Sequence, residues 1–192
     1  MPAAAQRLSE LNPSAFAPLE ALGICTLDAG TETQIADLAS FYRAMGKQVY
    51  AVCDVQTTEA EAAMRAQVDE LFMHGEKGFE ALVLKNTTRT ALERFIDALS
   101  DWPRHLAEAF PDAKVDPGKA LAAYFGWSKG DRGIADFLVS CQKEDEIPAW
   151  IRSACIRLKV LCQPDMPVNE EQPGAEDTET AAQGAGPHAG TV

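Results

Sequence analysis

Residues 21–30 read ALGICTLDAG and residues 46–56 read GKQVYAVCDVQ, with a polar-apolar segment of helical spacing between them. Each apolar run ends in an aspartate, Asp28 and Asp54. The pattern predicts a strand over 22–27, a helix over 32–45 with apolar Ile35, Leu38, Ala39, Phe41 and Tyr42, and a strand over 48–53. Parallel strands buried on both faces read as continuous apolar runs, and ligands of such sheets bind at the strands' carboxyl ends. A right-handed crossover through the helix makes the two strands parallel. The pattern thus points to a site before it points to a reaction.

Outward from this unit, Thr57 or Thr58 is placed to cap a helix over 59–72, whose first-turn acids suit the helix dipole. Residues 72–74 read as a short third strand. From Phe79 the pattern is helical throughout: 79–84, 88–99, 118–125, 131–142 and 148–161. A helix over 3–11 precedes the whole, ending before Asn12-Pro13. The expected fold class is α/β, a short and mainly parallel sheet flanked by helices and followed by a helical C-terminal half.

The 192 residues are 46% hydrophobic and 24% charged, a composition that supports one soluble domain with a core. No apolar run approaches the ~20 residues of a membrane helix, and residues 1–10 lack a secretory pattern, so a cytoplasmic protein is expected. The five cysteines form no CxxC pair and read as reduced thiols. The formal charge of −12 argues against a broad basic surface. Six of the acids lie within residues 163–192, which contain no Lys or Arg and few large apolar side chains, a composition expected to be disordered. The expected division is an N-terminal helical remnant over 1–19, the main domain over 20–162, and an acidic tail over 163–192.

Four charged residues, with Gln56 as a weaker neutral ligand beside Asp54, are candidates for chemistry. Asp54 and Gln56 lie two apart on an extended chain and so face one way. A carboxylate there suits Mg²⁺ or Mn²⁺, which prefer hard oxygen ligands, and it equally suits a helix cap. Asp28, before Ala29-Gly30, either sits near the same ion or shapes the turn. Glu80 either ligates a metal or serves as a first-turn acid. Lys129, in Ser128-Lys129-Gly130, either holds a phosphate or is an exposed loop lysine. His74, His105 and His188 share no ligand spacing, and no P-loop or GxGxxG occurs.

Three blocks stand in order: LDAGTETQIADLASFYRAMGKQVYAVCDVQ over 27–56, HGEKGFEALV over 74–83, and WSKGDRGIADFLVSCQKEDEIPAWI over 127–151. Together they resemble the Toprim nuclease region of the OLD (overcoming lysogenisation defect) family of ATP-dependent endonucleases, across roughly residues 20–162. The resemblance implies a divalent-metal site, Mg²⁺ or Mn²⁺, that cuts DNA. In it Asp54 matches the metal-binding aspartate after a strand, and Glu80 matches a glutamate that helps build the site. Lys129 matches a lysine that stabilises the charged transition state, and Asp28 lies in the family's small-residue turn as a further metal-site candidate. The family's opening strand, with its Glu-Gly and further acid, has no counterpart in MPAAAQRLSELNP, and no Walker motif marks an ATPase half or a nucleotide site. The expectation is a truncated piece or degenerate remnant of such an endonuclease, weak or inactive alone, which acts with an ATPase domain or longer chain supplying the missing strand. A non-catalytic protein-interaction module derived from such a nuclease is the alternative. A receiver-like signalling domain is a third reading, disfavoured by the separate KGFE and SKG blocks.

Overall fold

The computed structural model describes residues 1–100, 102–128 and 132–163. The fold is mixed α/β, mostly helical, with a small parallel sheet of two strands among the described residues. In chain order the elements are α1 (Pro2–Leu11), α2 (Glu32–Ala44), β1 (Tyr50–Cys53), α3 (Thr58–Gln67) and β2 (Glu70–Met73). Then come α4 (Phe79–Lys85), α5 (Arg89–Ala98), α6 (Arg104–Ala109), α7 (Pro117–Trp127), α8 (Gly133–Ser140) and α9 (Ala149–Cys162).

β1 pairs with β2 in register Tyr50 to Glu70 and Cys53 to Met73, with α3 as the crossover. Alternation of side chains sorts the strands between two hydrophobic layers. Ala51 and Leu71 are buried, with Cys53 and Met73, in a small cluster completed by Ala39 of α2 and Met64 of α3. Tyr50 and Phe72 face the opposite way, onto the main core built by the helical half. The sheet is therefore the middle layer, and a two-stranded sheet is held in place by packing on both sides.

The strand expected over 22–27 is not formed. Glu20–Leu22 is a single 3₁₀ turn, closed by Gly23 at φ 74° and by the Ile24 N–H bonding the Leu19 carbonyl at 2.9 Å. Leu19 takes the buried position, while Cys25, Thr26, Leu27 and Asp28 lie exposed. A parallel strand needs cover on both faces, and this run gains only the partial cover of Ile24 against the main core while residues 25–28 stay exposed. The parallel partner of β1 is instead β2, which overlaps the short strand expected over 72–74 and takes in residues 70–72 that the helix over 59–72 was expected to include. That helix stops at Gln67 because Val68 turns extended (φ −109°, ψ 155°), which lets Val68 and Leu71 enter the small core. Thr57 is its cap, accepting a hydrogen bond from the Ala60 N–H at 3.3 Å.

The helical half follows its pattern closely. Thr88 caps α5 and Asp116 caps α7. α1 lays Ala4, Ala5 and Leu8, all fully buried, into the main core against α8 and α9, so the N-terminal helix is part of that core. Phe95, Phe125 and Phe137 form its aromatic centre, with ring centroids 5.3–6.3 Å apart. Cys141 and Cys155 are buried core thiols, and burial raises their pKa values to about 12 and about 11. No disulfide joins the five cysteines. No helix among the described residues is long and apolar enough to cross a membrane. The expected acidic tail lies outside the described residues apart from Gln163.

Candidate functional site

Asp54 follows the last residue of β1, and the chain's direction carries its carboxylate to the turn that leaves β2. Its Oδ2 accepts the Gly78 N–H at 3.0 Å, and its Oδ1 accepts Gln56 Nε2 at 2.7 Å. Gln56 Nε2 also reaches the Asp54 carbonyl at 3.2 Å. Gln56 therefore turns its amide onto Asp54 itself. Asp54 caps no helix, because Thr57 does that work for α3. What Asp54 does is tie the carboxyl end of β1 to the loop between β2 and α4.

Gly78 is central to that loop. Its φ is 87°, a conformation L residues rarely adopt. A Cβ there would stand 3.1 Å from Glu80 Oε2. The Glu80 carboxylate thus borders the same glycine whose N–H binds Asp54. Two acids 26 positions apart in sequence thus border one backbone turn beyond the strands' carboxyl ends. The loop is pinned on its far side by Lys85 Nζ bonding Glu76 Oε1.

The other two candidates sit differently. Asp28 Oδ1 accepts the Gly30 N–H at 2.8 Å, with Gly30 at φ 76°. That is the turn-shaping arrangement, on an exposed loop entering α2. Among the described residues Asp28 makes no hydrogen bond or ion pair with Asp54 or Glu80. Lys129 lies outside the described residues. Its neighbour Ser128 ends α7, donating its N–H to the Tyr124 carbonyl at 2.8 Å, and is buried.

Sequence spacing gave no reason to select His74, yet it stands at the edge of this site. Its N–H bonds the Cys53 carbonyl at 3.2 Å, extending the ladder by one residue. The imidazole is 3% exposed, packed edge-on against Trp150 at 5.2 Å and Phe79 at 6.0 Å, and its Nδ1 has no hydrogen-bond partner among the described residues. Burial lowers its pKa against the opposing pull of Asp54 and Glu76. The one legible signal was its position at the end of the short strand expected over 72–74, beside a glycine.

A neutral buried histidine couples stability to pH. Below the unfolded pKa of about 6.5 the unfolded chain takes up a proton that the folded chain does not, so stability falls as pH drops through that window and is full above it. Urea unfolding at pH 7.5 and 5.5 should show the loss, and His74→Phe should shrink it. An unchanged pH difference in His74→Phe would contradict the assignment.

The fit of Mg²⁺ or Mn²⁺ can be judged from the donors. Mg²⁺ is held near-octahedrally by oxygen ligands. Among the described residues no three His, Cys, Asp or Glu side chains gather into a metal-holding group. Both oxygens of Asp54 are already engaged by protein N–H groups. The described residues do not complete an ion site by themselves.

No family model matches the chain, and no curated protein or solved structure matches it.

Proposed function

We propose that this chain is an incomplete Toprim-type module of a metal-dependent DNA endonuclease, inactive or weak alone, and completed by acids from a longer chain or partner. The observation that carries the reading is the meeting of Asp54 and Glu80 at Gly78, beyond the carboxyl end of a parallel β-α-β unit. The order of the LDAG, KGFE and SKG blocks supports it, and the resemblance assigns Lys129 to charge stabilisation. A phosphodiester cutter of this class uses metal ions bridging attacking and leaving oxygens. Further carboxylates, an Mg²⁺ or Mn²⁺ ion, DNA and an ATPase half all belong to this proposal.

The test is conversion of supercoiled plasmid to nicked circles with Mg²⁺ or Mn²⁺, with EDTA as control. The chain alone should nick at background. A fusion carrying the family's opening acidic strand ahead of Met1 should nick in a metal-dependent way, and Asp54→Ala or Lys129→Ala should abolish it. Robust nicking by the chain alone would contradict the incompleteness. A folded fusion that never nicks would favour the non-catalytic interaction module, which the full engagement of the Asp54 carboxylate also favours.

A further inference from the structure

The outer face of α9 carries an apolar stripe with a charge pattern of its own. Ile151, Ala154, Cys155 and Leu158 are buried and fix the opposite face of the helix against the main core. On the outer face Ala149, Ser153, Ile156 and Val160 are exposed, Ile156 at 44% and Val160 at 46%. Spacings of four, three and four residues hold them in one stripe, about 16 Å long at ~1.5 Å per residue. The helical turn sets Arg152 and Lys159 along one side of the stripe and Arg157 along the other. α9 contains no Asp or Glu, in a chain whose formal charge is −12. Arg152 Nε donates to the Ile147 carbonyl at 3.1 Å and Lys159 Nζ to the Ser14 carbonyl at 2.7 Å, so neither charge is neutralised. Arg157 meets Glu70 at 3.2 Å in a partly exposed pair, which water screens.

We infer that this face of α9 docks an amphipathic helix of a partner protein, one with aliphatic residues at heptad spacing and acidic residues flanking them. The stripe offers what a helix packs on, small side chains at Ala149 and Ser153 and aliphatic ones at Ile156 and Val160. Charge complementarity selects the occupant. Bases on both sides of the stripe meet the flanking positions of the partner helix, which decide partner choice in paired helices, and only acids there satisfy all three. A second copy does not fit, because α9 against α9 sets Arg and Lys opposite Arg and Lys in either orientation. Nucleic acid does not fit either, since the middle of the face is aliphatic where phosphates would need donors. This inference rests on the surface of α9 and not on the nuclease reading.

NMR titration of the isotope-labelled full chain tests it, with a synthetic amphipathic peptide of about three heptads as the probe, leucine at its apolar positions and glutamate at the flanking ones. The amide signals of Ser153, Ile156, Arg157 and Val160 should shift and saturate, while those of α8 stay in place. A twin peptide with lysine at the flanking positions should bind about tenfold or more weakly, the sum of three reversed charge pairs. Ile156→Ser combined with Val160→Ser changes exposed positions only, and unchanged α8 signals verify its fold. It should weaken binding of the acidic peptide about tenfold or more. Absence of saturating shifts on α9, equal affinity for the two peptides, or undiminished affinity in the serine variant would overturn the inference. Shifts at Ile156 and Val160 that grow with protein concentration alone would overturn it by assigning the face to a second copy. A DNA duplex that moves the same signals at lower concentration than the acidic peptide would overturn it in favour of nucleic acid.

Discussion

Replacing Glu146 by alanine should destabilise the protein by about 3–5 kcal/mol, a cost set by the buried charge left behind. Glu146 is 4% exposed, in the short 3₁₀ turn Glu144–Glu146 that leads into α9. Burial alone would raise its carboxyl pKa. Hydrogen bonds from Arg94, Gln142 N–H and Lys143 N–H outweigh that and hold it below the ordinary value. The Gln142 bond is 2.6 Å and the Lys143 bond 3.3 Å. The backbone carbonyl of Glu146 is held as well, by the Thr87 hydroxyl. One residue thus joins α5, the α8–α9 turn and the loop before α5. In Glu146→Ala the Arg94 guanidinium, half-enclosed and with Nε already without a partner among the described residues, loses its counter-charge. The melting temperature should fall by about 2–4 °C per kcal/mol, readable by calorimetry. Glu146→Gln should fall between the two, because it keeps one acceptor and lacks the charge. A Glu146→Ala protein as stable as wild type would show that Arg94 is solvated without its partner.

Phe137→Ala should cost about as much, 3–5 kcal/mol, through a cavity in place of a lost ion pair. Phe137 is fully buried, and its ring meets Phe95 edge-to-face at 5.3 Å and Phe125 at 6.3 Å. Those rings come from α8, α5 and α7, so collapse onto the void requires three helices to shift together. Denaturant titration should show a lower midpoint with little change in slope. Phe137→Leu, which retains most of the volume, should cost clearly less. Equal losses for Ala and Leu would mean that ring geometry, not volume, sets the cost.

The helical half was legible because its signals are local. The helix expected over 88–99 forms as α5 with Thr88 as its cap, and the helix expected over 118–125 forms as α7, starting one residue earlier at Pro117 with Asp116 as its cap. The strand over 48–53 was also legible, since β-branched and aromatic residues run up to Asp54, and it forms over Tyr50–Cys53. The short α6 was missed because its six residues are too few to show a period. The run over 22–27 misled because burial is a tertiary property. Nothing within ICTL states that α2 and α3 will cover β1 and β2 and leave Leu27 exposed. The turn made by Asp28 with Gly30, and the end of α3 at Val68, are settled by backbone geometry in the same way. At the candidate site, Asp54 and Glu80 were readable singly as acids after a strand and before a helix. Their meeting at Gly78 was not readable, because it depends on the path of the β2–α4 loop.

The most direct measurement is Mn²⁺ line broadening in amide NMR spectra of the full chain. The proposed metal site at the end of β1 predicts that trace Mn²⁺ broadens Gly78 first, then Asp54 and Glu80, with weak affinity. The acidic residues of 163–192 serve as the nonspecific reference within the same molecule. Asp54→Ala should remove the selective broadening at Gly78 and Glu80 and leave the tail's unchanged. Broadening at Gly78 that persists in Asp54→Ala, or that never exceeds the tail's, would contradict the claim that these two carboxylates form the beginning of a metal site.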